Sequence, residues 1–357
     1  MLFLKAITGL LVFATFLTMG LAHPVNVEIE ARSLKSSPFN PSIPVPEVAP
    51  PLLPSNLTVP TMDGNELRAR GTVHRPTVGY FAGFNVGAYT NTGACKTLQD
   101  WRNELKQVKA CRSSHFSFTV VKIFTTSQCS ALKNALQAAK EVGGIKVWAG
   151  LWATPRTTFD SDKNELGRQI LGSNGNLILG VSVGSEELFR GSLSSGQLAG
   201  YIWDVKGMIQ NSYGKTNVPI GTSEGIAPLL NPANQQVLDA SDAVLLTSYP
   251  YYGGSRVDLA LKAFQQGWWA LGAKMAGKTL IVGETGWPSK GKTIGQAVPT
   301  VPNARQYFKA IACWMRTTGK PFFWFSAVDE QWKSGGVAET RFGVSWTNGA
   351  RKYTLSC

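Results

Sequence analysis

From Gly79 onward, short apolar runs rich in Val, Ile, Leu and Phe alternate with amphipathic stretches, and this alternation restricts the fold more than any other feature of the chain. The runs fall at 79–86, 117–124, 145–152, 176–185, 217–222, 242–249, 279–284 and 321–326. Helical patterns lie between them, among them 98–105, 131–140 and 259–264. Strands that alternate with helices build parallel sheets covered on both faces, where each strand reads as a nearly continuous apolar run. Eight such units predict an α/β fold, a single (β/α)8 TIM barrel over residues 78–357. A doubly wound sheet is the rival, and eight units with charged or aromatic strand ends argue against it.

Two of the runs end in a carboxylate. Thr279-Leu280-Ile281-Val282-Gly283-Glu284 delivers an acid to a loop that Gly286 and Pro288 open at once. Leu177-Ile178-Leu179-Gly180-Val181-Ser182-Val183-Gly184-Ser185-Glu186 repeats the design, and Glu187-Leu188-Phe189-Arg190 follows with a helix-like pattern. A glutamate after a strand is often only a helix N-terminal acid favoured by the dipole, which is the reading for Glu187. For Glu186 and Glu284 the barrel changes the weighing, because all strand C-terminal ends open on one face and the two acids meet there. Glycoside hydrolysis needs such a pair, one carboxyl as proton donor and the other as nucleophile or base.

Val183-Gly184-Ser185-Glu186 and Val282-Gly283-Glu284-Thr285-Gly286-Trp287-Pro288 resemble the acid/base and nucleophile motifs of glycoside hydrolase family 17, the β-1,3-glucanases. The resemblance also takes in Gly83-Phe84-Asn85-Val86-Gly87, Ser248-Tyr249-Pro250-Tyr251 and Val328-Asp329-Glu330-Gln331-Trp332-Lys333, and so covers roughly residues 79–345. It implies a retaining mechanism on β-1,3-glucan, with Glu186 as acid/base, Glu284 as nucleophile and no cofactor. It implies substrate-binding roles for Asn85, Ser185, Tyr249, Trp287 and Trp332, the aromatic rings acting as platforms for sugar faces, and supporting roles for Glu330, Lys333 and Glu339. Ser185 stands where related families carry Asn, whose amide contacts the sugar 2-OH; fungal wall members, glucan-transferring enzymes among them, are similar here. Glucanosyl transfer is the alternative within enzymes, and an inert wall-binding protein is the alternative from another class.

The chain ends carry other signals. Met1 to Ala22, with Lys5, an apolar run and a small-residue end, predicts a secretory signal peptide. Residues 23–77 are Pro-rich and polar, a propeptide or spacer that holds the sequon Asn56-Leu57-Thr58. The polar end Tyr353–Cys357 lacks the hydrophobic tail of a GPI signal, so no membrane anchor is expected. Of the formal charge of +13, the signal holds +1 and residues 23–77 sum to zero, leaving +12 on the barrel. A basic secreted monomer with acidic wall polymers as partners is expected; nucleic acid is not, since no zinc-finger or RNP pattern accompanies the charge.

The five cysteines, Cys95, Cys111, Cys129, Cys313 and Cys357, suit disulfides with one thiol left over, and Cys313 with Cys357 is the expected bridge. No Cys-x-x-Cys or paired His exists, so no metal site is expected. Gly286–Thr293 satisfies the P-loop expression G-x-x-x-x-G-K-[ST], yet Pro288 removes an amide donor from what would be a phosphate cradle.

Overall fold

The computed structural model describes Pro76 and residues 78–357. The expected signal peptide, the spacer apart from Pro76, and Asn56 lie outside the described residues.

Eight parallel strands close into a barrel in chain order: β1 (Ala82–Asn85), β2 (Phe118–Lys122), β3 (Lys146–Leu151), β4 (Ile178–Ser185), β5 (Ile220–Gly225), β6 (Ala243–Thr247), β7 (Thr279–Thr285) and β8 (Phe322–Trp324). β8 pairs with β1 through Ala82 and Phe322, which leaves no open edge. The helices are α1 (Leu98–Ala110), α2 (Ala131–Val142), α3 (Arg156–Leu171), α4 (Ser195–Lys206), α5 (Ile226–Leu230), α6 (Gln235–Ala240), α7 (Ala260–Lys274) and α8 (Val301–Thr317). The single TIM barrel read from the sequence is the observed fold.

Helix starts follow local chemistry. Thr97 caps α1 in a capping box with Asp100, Ser194 caps α4 in one with Gln197, and Thr300 caps α8 ahead of Pro302. The core has two parts. Phe81, Val120, Trp148, Ala243, Leu245, Ile281 and Phe323 form one apolar cluster, drawn mainly from inward-facing strand positions. A larger cluster lies between strands and helices, where Val121, Val147, Val181, Val244 and Val282 meet residues such as Leu105, Leu136, Leu198 and Phe308.

Two local expectations are corrected, and the end of the chain departs from the repeat. Glu187–Arg190 forms turns, not a helix, and the helix of that unit begins only at Ser195. β5 runs to Gly225 instead of ending at 222, because Glu224 is completely buried and pairs in register with Leu246 of β6. After β8 the described chain has no further α-helix; a short 3-10 turn (Ala338–Thr340) and an irregular tail complete the barrel.

Disulfides join Cys313 to Cys357, as expected, and Cys95 to Cys129. The first ties the tail to α8. Cys111 is the free thiol; it is buried, and burial pushes it up to about 11, out of reach of thiolate chemistry at neutral pH.

Candidate active site

Glu284 reaches the barrel mouth through a local irregularity. In β7, Val282 belongs to the outer core, so strict alternation would send Glu284 outward too. The register slips: Leu246 of β6 faces Val282 but Thr247 faces Glu284, and on the other side β8 meets Val282 and then Thr285 across Phe322 and Trp324. The extra residue turns the glutamate inward, as a β-bulge does. Gly283 permits it, since a Cβ there would come within 2.7 Å of Leu245 Cβ.

β4 carries a matching slip against β5 between Ser182 and Ser185. Gly184 has φ 75° and Glu186 has φ 58°, a left-handed conformation that a non-glycine residue adopts only where its surroundings enforce it. Glu186 N–H donates to Ser223 O at 2.8 Å, and Arg190 N–H donates to Glu186 O at 2.9 Å.

The Glu284 carboxylate is buried and well supplied with donors. Lys122 Nζ from the end of β2 pairs with Oε1 at 2.8 Å, the Tyr249 hydroxyl donates to Oε2 at 3.2 Å, and the Ser185 hydroxyl lies 3.4 Å from Oε1. Ser185 thus bridges the two motifs, being the neighbour of Glu186 in the chain. Burial pushes the Tyr249 phenol well above its ordinary value, and the charges of Glu284 and Glu186 both push it further, so the two acids act on one small space.

A second layer extends behind Tyr249. Tyr252 packs edge-on against Tyr249 with ring centroids 5.8 Å apart, and its hydroxyl donates to Glu339 Oε1. Burial lifts the Glu339 carboxyl to about 7 against the lowering effects of that hydrogen bond and of Lys333. Glu330 and Lys333 pair at 2.8 Å with side chains only about a tenth exposed, so this is a sheltered ion pair and not a solvated loop contact. Lys333 Nζ stands 3.8 Å from the centre of the Phe325 ring.

The remaining expected residues divide. Asn85, buried at the end of β1, donates its amide to Gly283 O at 3.1 Å and so braces the residue before Glu284 from the far side of β8. Trp332 is half-buried and tilts against Tyr89 at 4.9 Å, a position compatible with a platform. Trp287 is not a platform. It is 1% exposed, its Nε1 donates to Val298 O, and its ring packs against Tyr251 and Tyr307, because the chain beyond Gly286 turns back over α8. The P-loop-like segment leads into no helix; Lys292 O accepts the Tyr251 hydroxyl, and α8 starts only at Val301.

Sequence reasoning missed Lys122 and the buried group Glu187, Arg190 and Glu224. A lysine as the last residue of an apolar strand was a usable signal, since a charge in that place needs a partner. Glu224 gave none, because the strand appeared to stop before it.

The BtgE/BtgC glycoside hydrolase domain matches residues 83–346. A glucan 1,3-beta-glucosidase of Saccharomyces cerevisiae is 32% identical over 289 residues, 77% of this chain and 90% of its own length. One of Candida albicans is 30% identical over 77% of this chain and 92% of its own length. The crystal structure of a glycoside hydrolase family 17 beta-1,3-glucanosyltransferase from Rhizomucor miehei superposes with a TM-score of 0.67 at 25% identity, covering 77% of this chain and 97% of its own. By the extent of these matches, this chain is a member of glycoside hydrolase family 17 built on the BtgE/BtgC glycoside hydrolase domain.

Proposed function

We propose that the protein is a retaining glycoside hydrolase that cleaves β-1,3-glucan, with Glu284 as nucleophile and Glu186 as acid/base. The observation that carries this reading is the convergence of the two motifs at one mouth: Lys122 Nζ pairs with Glu284 Oε1 at 2.8 Å, and the hydroxyl of Ser185, the neighbour of Glu186, lies 3.4 Å from the same oxygen. In the first step a Glu284 oxygen bonds to the anomeric carbon while the bond to the departing sugar oxygen breaks and Glu186 gives that oxygen its proton. In the second, Glu186 takes a proton from the incoming hydroxyl, whose oxygen replaces Glu284 at the same carbon. The names of the relatives support the substrate class, and the two disulfides support action in an oxidising, extracellular setting such as a cell wall.

A second reading concerns the acceptor. The Rhizomucor miehei enzyme is a glucanosyltransferase, and transfer differs from hydrolysis only in whether a sugar hydroxyl or water attacks the covalent intermediate. Incubation with a reduced laminari-oligosaccharide, read by mass spectrometry, separates the cases: hydrolysis gives only shorter products, and transfer gives longer ones. Neither product from pure, folded protein contradicts both readings.

A further inference from the structure

Glu224 faces away from the sugar groove, yet its carboxylate reaches the chain that presents Glu186. Its neighbour Ser223 points to the barrel interior, where its hydroxyl lies 3.4 Å from Lys122 Nζ and 3.3 Å from Thr247 Oγ1. Strand alternation therefore turns Glu224 to the outer face. There Glu224 Oε1 accepts the Leu188 amide at 2.7 Å, a bond between residues 36 positions apart.

We propose that Glu224 is a positioning residue for Glu186, clamping the turn that follows it and so fixing where the acid presents its proton. The inference rests on the reading of Glu186 as proton donor. Consecutive residues of β5 grip both sides of the left-handed Glu186: Ser223 O accepts its own N–H, and Glu224 accepts the N–H two residues on. The rest of the turn is fixed independently. Arg190 donates to Ser185 O at 2.6 Å and pairs with Glu187 at 2.8 Å, while the Thr154 hydroxyl donates to Glu187 Oε2 at 3.1 Å. The charged groups around Glu224 are thus Glu187 and Arg190. Burial above all, with Glu187 adding, raises its carboxyl to about 7 against the amides and Arg190.

A clamp on a proton donor leaves a signature that a general structural role does not. A sugar leaving group needs the proton; a dinitrophenolate departs without it. Glu224→Ala and Glu224→Gln, with Glu186→Gln as reference, are to be assayed on a laminari-oligosaccharide and on a dinitrophenyl β-laminaribioside. Loss of aim costs on the order of 10- to 100-fold. We expect a fall of that size in kcat/KM for the oligosaccharide in Glu224→Ala, carried by kcat, and a much smaller fall for the dinitrophenyl substrate. Glu224→Gln keeps one acceptor and the same volume, so it shows the same split to a lesser degree and serves if the Ala variant fails to fold. Equal losses on both substrates, or none on either, overturn the clamp. If Glu186→Gln shows the split and the Glu224 variants do not, only the clamp falls; if Glu186→Gln loses both substrates equally, the proton-donor reading falls first and takes the clamp with it.

Discussion

Lys122 Nζ and Glu284 Oε1 lie 2.8 Å apart at the ends of β2 and β7, with side chains 1% and 6% exposed. These strands are not neighbours in the barrel, so the pair spans its mouth. Ser223 and the Phe124 ring complete the surroundings of the ammonium.

Breaking such a pair by removing one partner strands a buried charge, which costs ~3–5 kcal/mol. Lys122→Met should therefore destabilise the fold by that order. It should also lower kcat/KM on laminari-oligosaccharides by on the order of 100-fold, because the ammonium that holds the Glu284 carboxylate in place is gone. Steady-state kinetics on laminari-oligosaccharides, alongside urea unfolding, reads both effects; an unchanged kcat/KM in folded Lys122→Met would show that Lys122 does not hold Glu284 for catalysis.

Glu224 and Glu339 are each raised by burial to about 7 from an ordinary 4.5. A carboxyl whose folded value exceeds its unfolded one contributes stability below the unfolded value and loses it as pH rises through the folded one. Stability should fall between pH 4.5 and 7, by on the order of 3 kcal/mol per group if each acts alone. Thermal unfolding from pH 4.5 to 8 should show the decline, flattened in Glu339→Gln. A rising or level Tm over this window would contradict it.

Trp287→Ala should act as a core truncation. Loss of a fully buried tryptophan costs roughly 3–5 kcal/mol, and KM for oligosaccharides should change little in the protein that remains folded. A large rise in KM with unchanged unfolding would restore the sugar platform that the sequence suggests.

The barrel and the order of its strands were legible because parallel strands covered on both faces leave continuous apolar runs, and the Cys313–Cys357 bridge was legible from a tail cysteine beside a late helix. What decides the site was not. The slips before Glu284 and Glu186 leave only a glycine shortly before each acid, Gly283 and Gly184, which marks a bulge without saying which way the next side chain turns. The Lys122–Glu284 pairing joins residues 162 positions apart, beyond any local pattern. Trp287 reads the same after a strand whether its ring covers a groove or folds back into the core, and only tertiary packing distinguishes the two.

The +12 on the barrel should hold the protein on acidic wall polymers independently of the groove. The Debye length shortens from ~10 Å at 0.1 M to ~3 Å at 1 M salt, so exposed contacts should be lost over that range. Stepwise salt extraction of intact walls should release wild type and Glu284→Gln alike. Release by β-1,3-glucan oligosaccharides but not by salt would make the charge incidental.

In the proposed mechanism Glu284 forms the covalent bond to sugar. Incubating the folded protein with a 2-deoxy-2-fluoro-β-laminaribiosyl fluoride, which slows the second step more than the first, and mapping the modified peptide by mass spectrometry tests it directly. One sugar should be added per chain, on Glu284, with turnover lost in proportion. A label on Glu186 or elsewhere, or full turnover loss without any covalent adduct, would contradict it.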